Sequence, residues 1–413
     1  METATSANPI LERMLRPGQK KILACDGGGI RGLISLGILG KLEADLRHVF
    51  GNPDLLLADY FDFICGTSTG GIIATCLSCG MPVSRVVEFY LTNGSSMFQR
   101  AKWYLQLREK YGAEPLAELL RRVLSCQLNG PGYVYNEADP VIELGDQRLK
   151  GLLMLVMRNH TTDSPWPVCN NPRAKYNELS RPDCNLRLPL WQLVRASAAA
   201  PTFFPPEVVT FAEGTEHEYH FLFVDGGVTT YNNPAYLAFQ MATAQPYNIQ
   251  WPTGVDQMLI VSVGTGNAPA QRQNLRPEDL WLLDHAKSIP SALMNAATSG
   301  WDMVCRLLGE CRFGGEIDGE FGAMMLPPGG SATASNWTGP KQFAYVRYDP
   351  ITTQQQLNDL DLFQISEASM QKMDDVSLIG ELYQVGKTYA DRYVDLDHLT
   401  GFIPPPSSPL PAG

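Results

Sequence analysis

A three-layer α/β/α fold, with helices on both faces of a mostly parallel sheet, is predicted for this chain by three observations. Short apolar runs alternate with stretches of helical spacing from about residue 21 to residue 266. The runs are bounded by glycine and proline, and they are too short to be helices. Three of them lead straight into glycine loops: residues 26–32 (DGGGIRG), 66–70 (GTSTG) and 225–227 (DGG). Open α/β sheets build their sites at the strands' C-terminal edge, so loops that all leave a strand there are expected to share one site.

In chain order, residues 21–25 (KILAC) read as a short buried strand. Leu33, Ile34, Leu36, Ile38, Leu39, Leu42 and Leu46 then follow at helical spacing. Residues 60–65 run into Gly-x-Ser-x-Gly, which opens a second apolar helix stopped by Gly80 and Pro82. Residues 82–124 look helical, with a break expected at 93–96 (NGSS). Met97, Phe98, Trp103, Tyr104 and Leu105 are read as core packing or as a flap at an apolar entrance. Residues 152–157 (LLMLVM) are a strand, and the proline-bearing stretch 160–189 reads as a long loop. Residues 190–201 form a helix of small residues, and 220–224 and 258–263 are strands. Residues 289–308 are a helix, 314–339 are irregular, 345–348 a last short strand and 365–393 helical. The expected division is an N-terminal tail (1–20), a catalytic domain (21–345), a helical C-terminal extension packed on that domain (346–401) and a proline-rich disordered tail (402–413).

Composition narrows the function. With 44% apolar and 18% charged residues the chain is globular. A net charge of −11 argues against nucleic acid as partner and against adhesion through a polybasic patch. Lipid contact would be apolar and transient. No uninterrupted apolar stretch would span a membrane, and the N-terminus lacks the basic start and apolar run of a leader. The nine cysteines, odd in number and scattered, suit reduced thiols, so a cytoplasmic protein, at most peripheral at a membrane, is expected. Cys76 and Cys79 sit within a helix with no second pair at metal spacing, and no metal or cofactor is expected.

The chemistry centres on Ser68. Strand, tight turn and helix in that order expose a serine at the apex and aim the helix N-terminus at the reacting centre. Gly27, Gly28 and Gly29 satisfy the start of a dinucleotide pattern, Gly-x-Gly-x-x-Gly. However, Asp26 stands where pyrophosphate would approach, and no ribose-binding acid follows a second strand. The competing use is an oxyanion hole, because consecutive glycines can turn their N–H groups into one cavity. A serine also needs a base. Among six histidines, His285 and His398 follow Asp225 in the Ser…Asp…His order, yet neither follows a strand in a glycine turn. Asp225, at a strand end with two glycines behind it, is better placed, and burial would raise its proton affinity.

Taken together, 26–32 (DGGGIRG), 66–70 (GTSTG) and 225–227 (DGG) resemble the motifs of the patatin-like phospholipases, particularly bacterial ones. Residues 195–201 (RASAAAP), 232–234 (NNP) and 262–266 (SVGTG) are similar to further blocks of that family. The resemblance covers roughly residues 20–266. It implies a Ser68–Asp225 dyad without histidine, acting on the fatty acyl esters of phospholipids or related lipids. It implies an oxyanion hole of the Gly28 and Gly29 N–H groups with Gly27 or Ile30, and places Arg31 where a phosphate head group could be met. A salt bridge or helix-face contact is the alternative for Arg31. The alternative readings are an acyltransferase on the same scaffold and a ligand-regulated phospholipase effector.

Overall fold

The computed structural model describes residues 8–97, 112, 114–201, 203–267, 282–325 and 339–404. The aromatics expected at 98–105 and the tail from 405 lie outside them. Nine strands form one sheet among the described residues: β1 (Lys20–Cys25), β2 (Phe63–Thr67), β3 (Leu152–Asn159), β4 (Ser164–Cys169), β5 (Glu207–Phe211), β6 (Tyr219–Asp225), β7 (Met258–Val263), β8 (Glu310–Phe313) and β9 (Ala344–Tyr348). Their hydrogen-bonding order is β5-β6-β3-β2-β1-β7-β9-β8, with β4 also on β3. β1, β2, β3, β7, β8 and β9 are mutually parallel, β4 and β6 run antiparallel to β3, and β5, antiparallel to β6, returns to the common direction. Strands β1, β2 and β7 are almost wholly buried, which is why they read as continuous apolar runs rather than alternating ones.

The helices are α1 (Pro9–Leu15), α2 (Gly32–Val49), α3 (Leu57–Tyr60), α4 (Thr69–Ser78), α5 (Val83–Met97), α6 (Glu114–Asn129), α7 (Leu190–Ser197), α8 (Ala235–Thr243), α9 (Leu282–Leu308), α10 (Gln354–Asp359), α11 (Glu367–Met370) and α12 (Ile379–Tyr393). On one face α4 packs on β1, β2 and β3 and touches α2 and α7. On the other, α8 packs on β1 and β7 and against α9. This is the expected three-layer α/β/α architecture. Helix α12 lies on α2, and glycines allow the approach: a Cβ on Gly386 would meet the Ile34 carbonyl oxygen at 2.2 Å.

Four expectations change. The stretch taken as an N-terminal tail contains α1, capped by the Asn8 side chain, with Ile10 and Met14 buried. The domain boundary expected after 345 falls inside β9. The break expected at 93–96 is absent, because α5 runs through it; Gly94 is there to admit the Ile379 side chain, which a Cβ would meet at 2.7 Å. Residues 164–169, read as loop, are β4. Pro165 and Pro167 argue locally against a strand, yet β4 pairs with β3 alone, and an edge strand can direct proline nitrogens away from its partner.

The most consequential difference lies in β6. Residues 154–156 of β3 pair with both β2 and β4, and residues 157–159 with both β4 and β6. β2 and β6 therefore share one edge of β3, end to end and running in opposite directions. Thr67 stands opposite Val156 and Asp225 opposite Met157, at consecutive positions of the same strand. The third glycine loop does not leave a parallel strand at the common edge. It arrives there from the opposite side.

Candidate active site

Register alone thus brings residue 68 to residue 225. The chain turns sharply after β2: Ser68 has φ 54° and ψ −123°, a region that a non-glycine residue occupies at a cost of about 1–3 kcal/mol unless its surroundings hold it. The flanking glycines make the turn possible. A Cβ on Gly66 would meet the Gly70 carbonyl oxygen at 2.0 Å, and one on Gly70 would meet that of Cys25 at 2.1 Å. At the apex Ser68 Oγ donates to Asp225 Oδ2 at 2.5 Å. The other carboxylate oxygen accepts the Gly227 N–H at 2.6 Å.

Asp225 is 4% exposed. Burial pushes its carboxyl up to about 6, against the hydrogen bonds from Ser68 and Gly227 and the charge of Arg195. A carboxylate at about 6 is ionised at neutral pH and still basic enough to take a proton transiently. No imidazole intervenes among the described side chains. His398 bonds the Tyr348 hydroxyl at 2.9 Å and stacks on Phe313, and the side chain of His285 lies outside the described residues.

The glycine loop resolves into two kinds of amide. Gly27 N–H donates to the Asn232 carbonyl at 3.2 Å, and Ile30 N–H to the Met373 carbonyl at 2.9 Å. Both are therefore engaged, contrary to the expectation that either completes the hole. Gly28 and Gly29 line the Ser68 cavity, and their N–H groups have no backbone acceptor among the described residues. Thr265 and Met373 press on the loop: a Cβ on Gly28 would meet Thr265 Oγ1 at 2.1 Å, and one on Gly29, at φ +62°, the Met373 carbonyl oxygen at 2.2 Å.

Arg31 is buried and does not line the Ser68 cavity. It faces a smaller polar cavity of about 50 Å³ with Asp349 and Asn232, and its Nε reaches the Gly28 carbonyl at 3.5 Å. The place expected to meet a head group is on the far side of the loop, because the 3-10 turn Gly29–Arg31 directs the residue after Ile30 inward.

Ser68 and Asp225 open into a cavity of about 420 Å³ walled by Ile72, Tyr90, Met97, Leu116, Phe204 and Met294, among others. That is the size and character of a site for a largely apolar small molecule. Several residues here carried no role in the sequence reading. Arg347, on β9, makes a bidentate ion pair with buried Asp26 at 3.0 and 2.6 Å and also holds Ser262 and Asp349. Burial pushes the Asp26 carboxyl up, and the charge and hydrogen bonds of Arg347 pull it back down. Ser197, Asn232 and Ser262 lie in the blocks 195–201, 232–234 and 262–266, which motif similarity flagged without assigning them work. Arg347 and Met373 lay beyond any motif. Among the described residues no cluster of three or more His, Cys, Asp or Glu side chains is arranged to hold a metal ion.

Fold and site together define an α/β protein with a serine on a strained strand-to-helix elbow and a buried carboxylate in direct hydrogen-bond contact with it. The chain belongs to the patatin-like phospholipase family, whose sequence profile matches residues 23–239. It is 31% identical to Patatin-T5 of Solanum tuberosum over 258 residues, covering 59% of this chain and 60% of that protein's length. It is 28% identical to Patatin-17 of Solanum cardiophyllum over 293 residues, 67% of this chain and 69% of that one. Among solved structures, VipD from Legionella pneumophila aligns over 89% of this chain and 67% of its own, at 13% identity and a TM-score of 0.30. No helix among the described residues is long and apolar enough to cross a membrane.

Proposed function

We propose that this protein is a lipid acyl hydrolase that cleaves fatty acyl esters of phospholipids or related lipids with a Ser68–Asp225 dyad. The observation that carries the reading is the 2.5 Å contact between Ser68 Oγ and Asp225 Oδ2 at the wall of the apolar cavity. The acyl chain occupies that cavity, which places the ester carbonyl at the elbow. Ser68 Oγ attacks the carbonyl carbon as its proton passes to Asp225 Oδ2. The Gly28 and Gly29 N–H groups stabilise the oxyanion that forms. Asp225 then returns the proton to the departing alcohol, leaving an acyl ester on Ser68. Water, deprotonated by the same carboxylate, attacks that ester and releases the fatty acid and a free serine. Arg31, buried away from the cavity, takes no part in head-group binding, which leaves the head group outside. Contact with a membrane surface is transient in this reading, made only while an acyl chain is drawn in.

Labelling with a fluorophosphonate tests the nucleophile. The wild-type protein is expected to gain one adduct, on the peptide containing Ser68, and folded Ser68→Ala none. Equal labelling of the two proteins would contradict the assignment.

A further inference from the structure

The sheet does not hold the elbow by itself. The β2–β3 ladder runs as far as Thr67 opposite Val156, and at Ser68 the backbone swings to positive φ. The Ser68 N–H and the buried Val156 carbonyl would then both be left without a ladder partner. Ser197, fully buried at the last turn of α7, takes up both. Its Oγ accepts the Ser68 N–H at 3.0 Å and its hydroxyl donates to the Val156 carbonyl at 2.6 Å. Two residues further on, the Ala199 carbonyl accepts the Asp225 N–H at 2.9 Å. One short segment at the end of α7 therefore grips the backbone of the serine with a side chain and that of the carboxylate with a carbonyl.

We infer that Ser197 is a positioning residue of the reaction: its hydroxyl replaces a missing ladder bond and keeps Ser68 Oγ within reach of Asp225. The inference rests on the hydrolase reading for its kinetic consequence but not for its geometry. With alanine at 197, the Ser68 N–H loses the partner that holds it at positive φ, and relaxation towards negative φ carries Oγ away from the carboxylate. Misplacement by about 1 Å is enough to cost about 100-fold in rate.

Ser197→Ala, Ser197→Thr and Ser197→Cys are compared with wild type on a chromogenic acyl ester, with Ser68→Ala as the blank and circular dichroism for folding. The alanine variant is expected to lose about 10- to 100-fold in kcat with KM within about twofold, because the acyl cavity is untouched. Threonine, which keeps the hydroxyl, retains most of the activity, and cysteine, a weaker donor and acceptor, falls between. A crystal structure of the alanine variant is expected to show Ser68 Oγ beyond about 3.5 Å from Asp225 Oδ2. A folded alanine variant within about twofold of wild type, or one whose elbow is unmoved, overturns the inference. If alanine prevents folding, the order of threonine above cysteine carries the kinetic test, and equal activity of the two overturns it. Absence of any esterase activity in wild type defeats the hydrolase reading instead, and the crystal structure then still decides the role of Ser197.

Discussion

At the scale of single residues, the proposed hydrolysis depends on the charge that Asp225 carries. Burial raises its carboxyl to about 6, and the proposed base is its ionised form. kcat/KM should therefore be full above that pH and fall with unit slope as pH drops through it; a profile flat down to pH 4 would contradict the assignment. The same burial costs stability. A carboxyl raised from its ordinary range to about 6 is worth about 3 kcal/mol by linkage. That cost is absent where both folded and unfolded states are protonated, grows between about pH 4 and 6, and is complete above. Asp225→Asn should thus melt at or above the wild-type temperature at pH 7.5, with the advantage shrinking on acidification, while its turnover is lost. The serine and the aspartate were legible in the sequence because each stands beside glycines at a strand end. Ser197 was not, since a buried serine in a run of alanines reads as close packing until its two hydrogen bonds are seen.

At the scale of elements, the glycine loop is a composite. Asp26 and the glycines come from the β1–α2 connection, but the loop's outer side is set by Met373, from the turn between α11 and α12. Because Gly29 sits at φ +62° and a Cβ there would strike the Met373 carbonyl, Gly29→Ala should lower kcat by about 100-fold with little change in KM. Unchanged kcat in that variant would mean that the Gly28 and Gly29 amides do not bear on the transition state. Glycine spacing announced the loop. Which of its amides are free could not be read, because the acceptors lie more than 200 residues away at Asn232 and more than 300 away at Met373. The antiparallel entry of β6 was hidden for a similar reason: local pattern identifies a strand but not its direction. A βαβ rhythm suggests parallel neighbours by default.

At the scale of the whole molecule, the part of the chain beyond the family match is wired into the site. Arg347 on β9 holds Asp26 at the mouth of β1 in a fully buried pair, and α12 lies against α2 behind the loop. Removing one partner of such a pair strands the other charge, at about 3–5 kcal/mol. Arg347→Met should cost that much stability at neutral pH and less in acid, where Asp26 accepts a proton; a loss below about 1 kcal/mol in a urea titration would show that the pair anchors nothing. We propose accordingly that residues 346–401 are an integral part of the catalytic unit rather than an appendage. The three-layer architecture was readable from the rhythm of apolar runs, whereas this long-range closure was not, since no local signal couples residue 26 to residue 347. The central claim is that Ser68 and Asp225 together break acyl esters. It is tested most directly by mass-resolved release of fatty acid from phosphatidylcholine dispersions by wild type, Ser68→Ala and Asp225→Asn. Release by wild type and blank-level signal from both folded variants are expected; fatty acid released by folded Ser68→Ala at the wild-type rate would show that another group is the nucleophile.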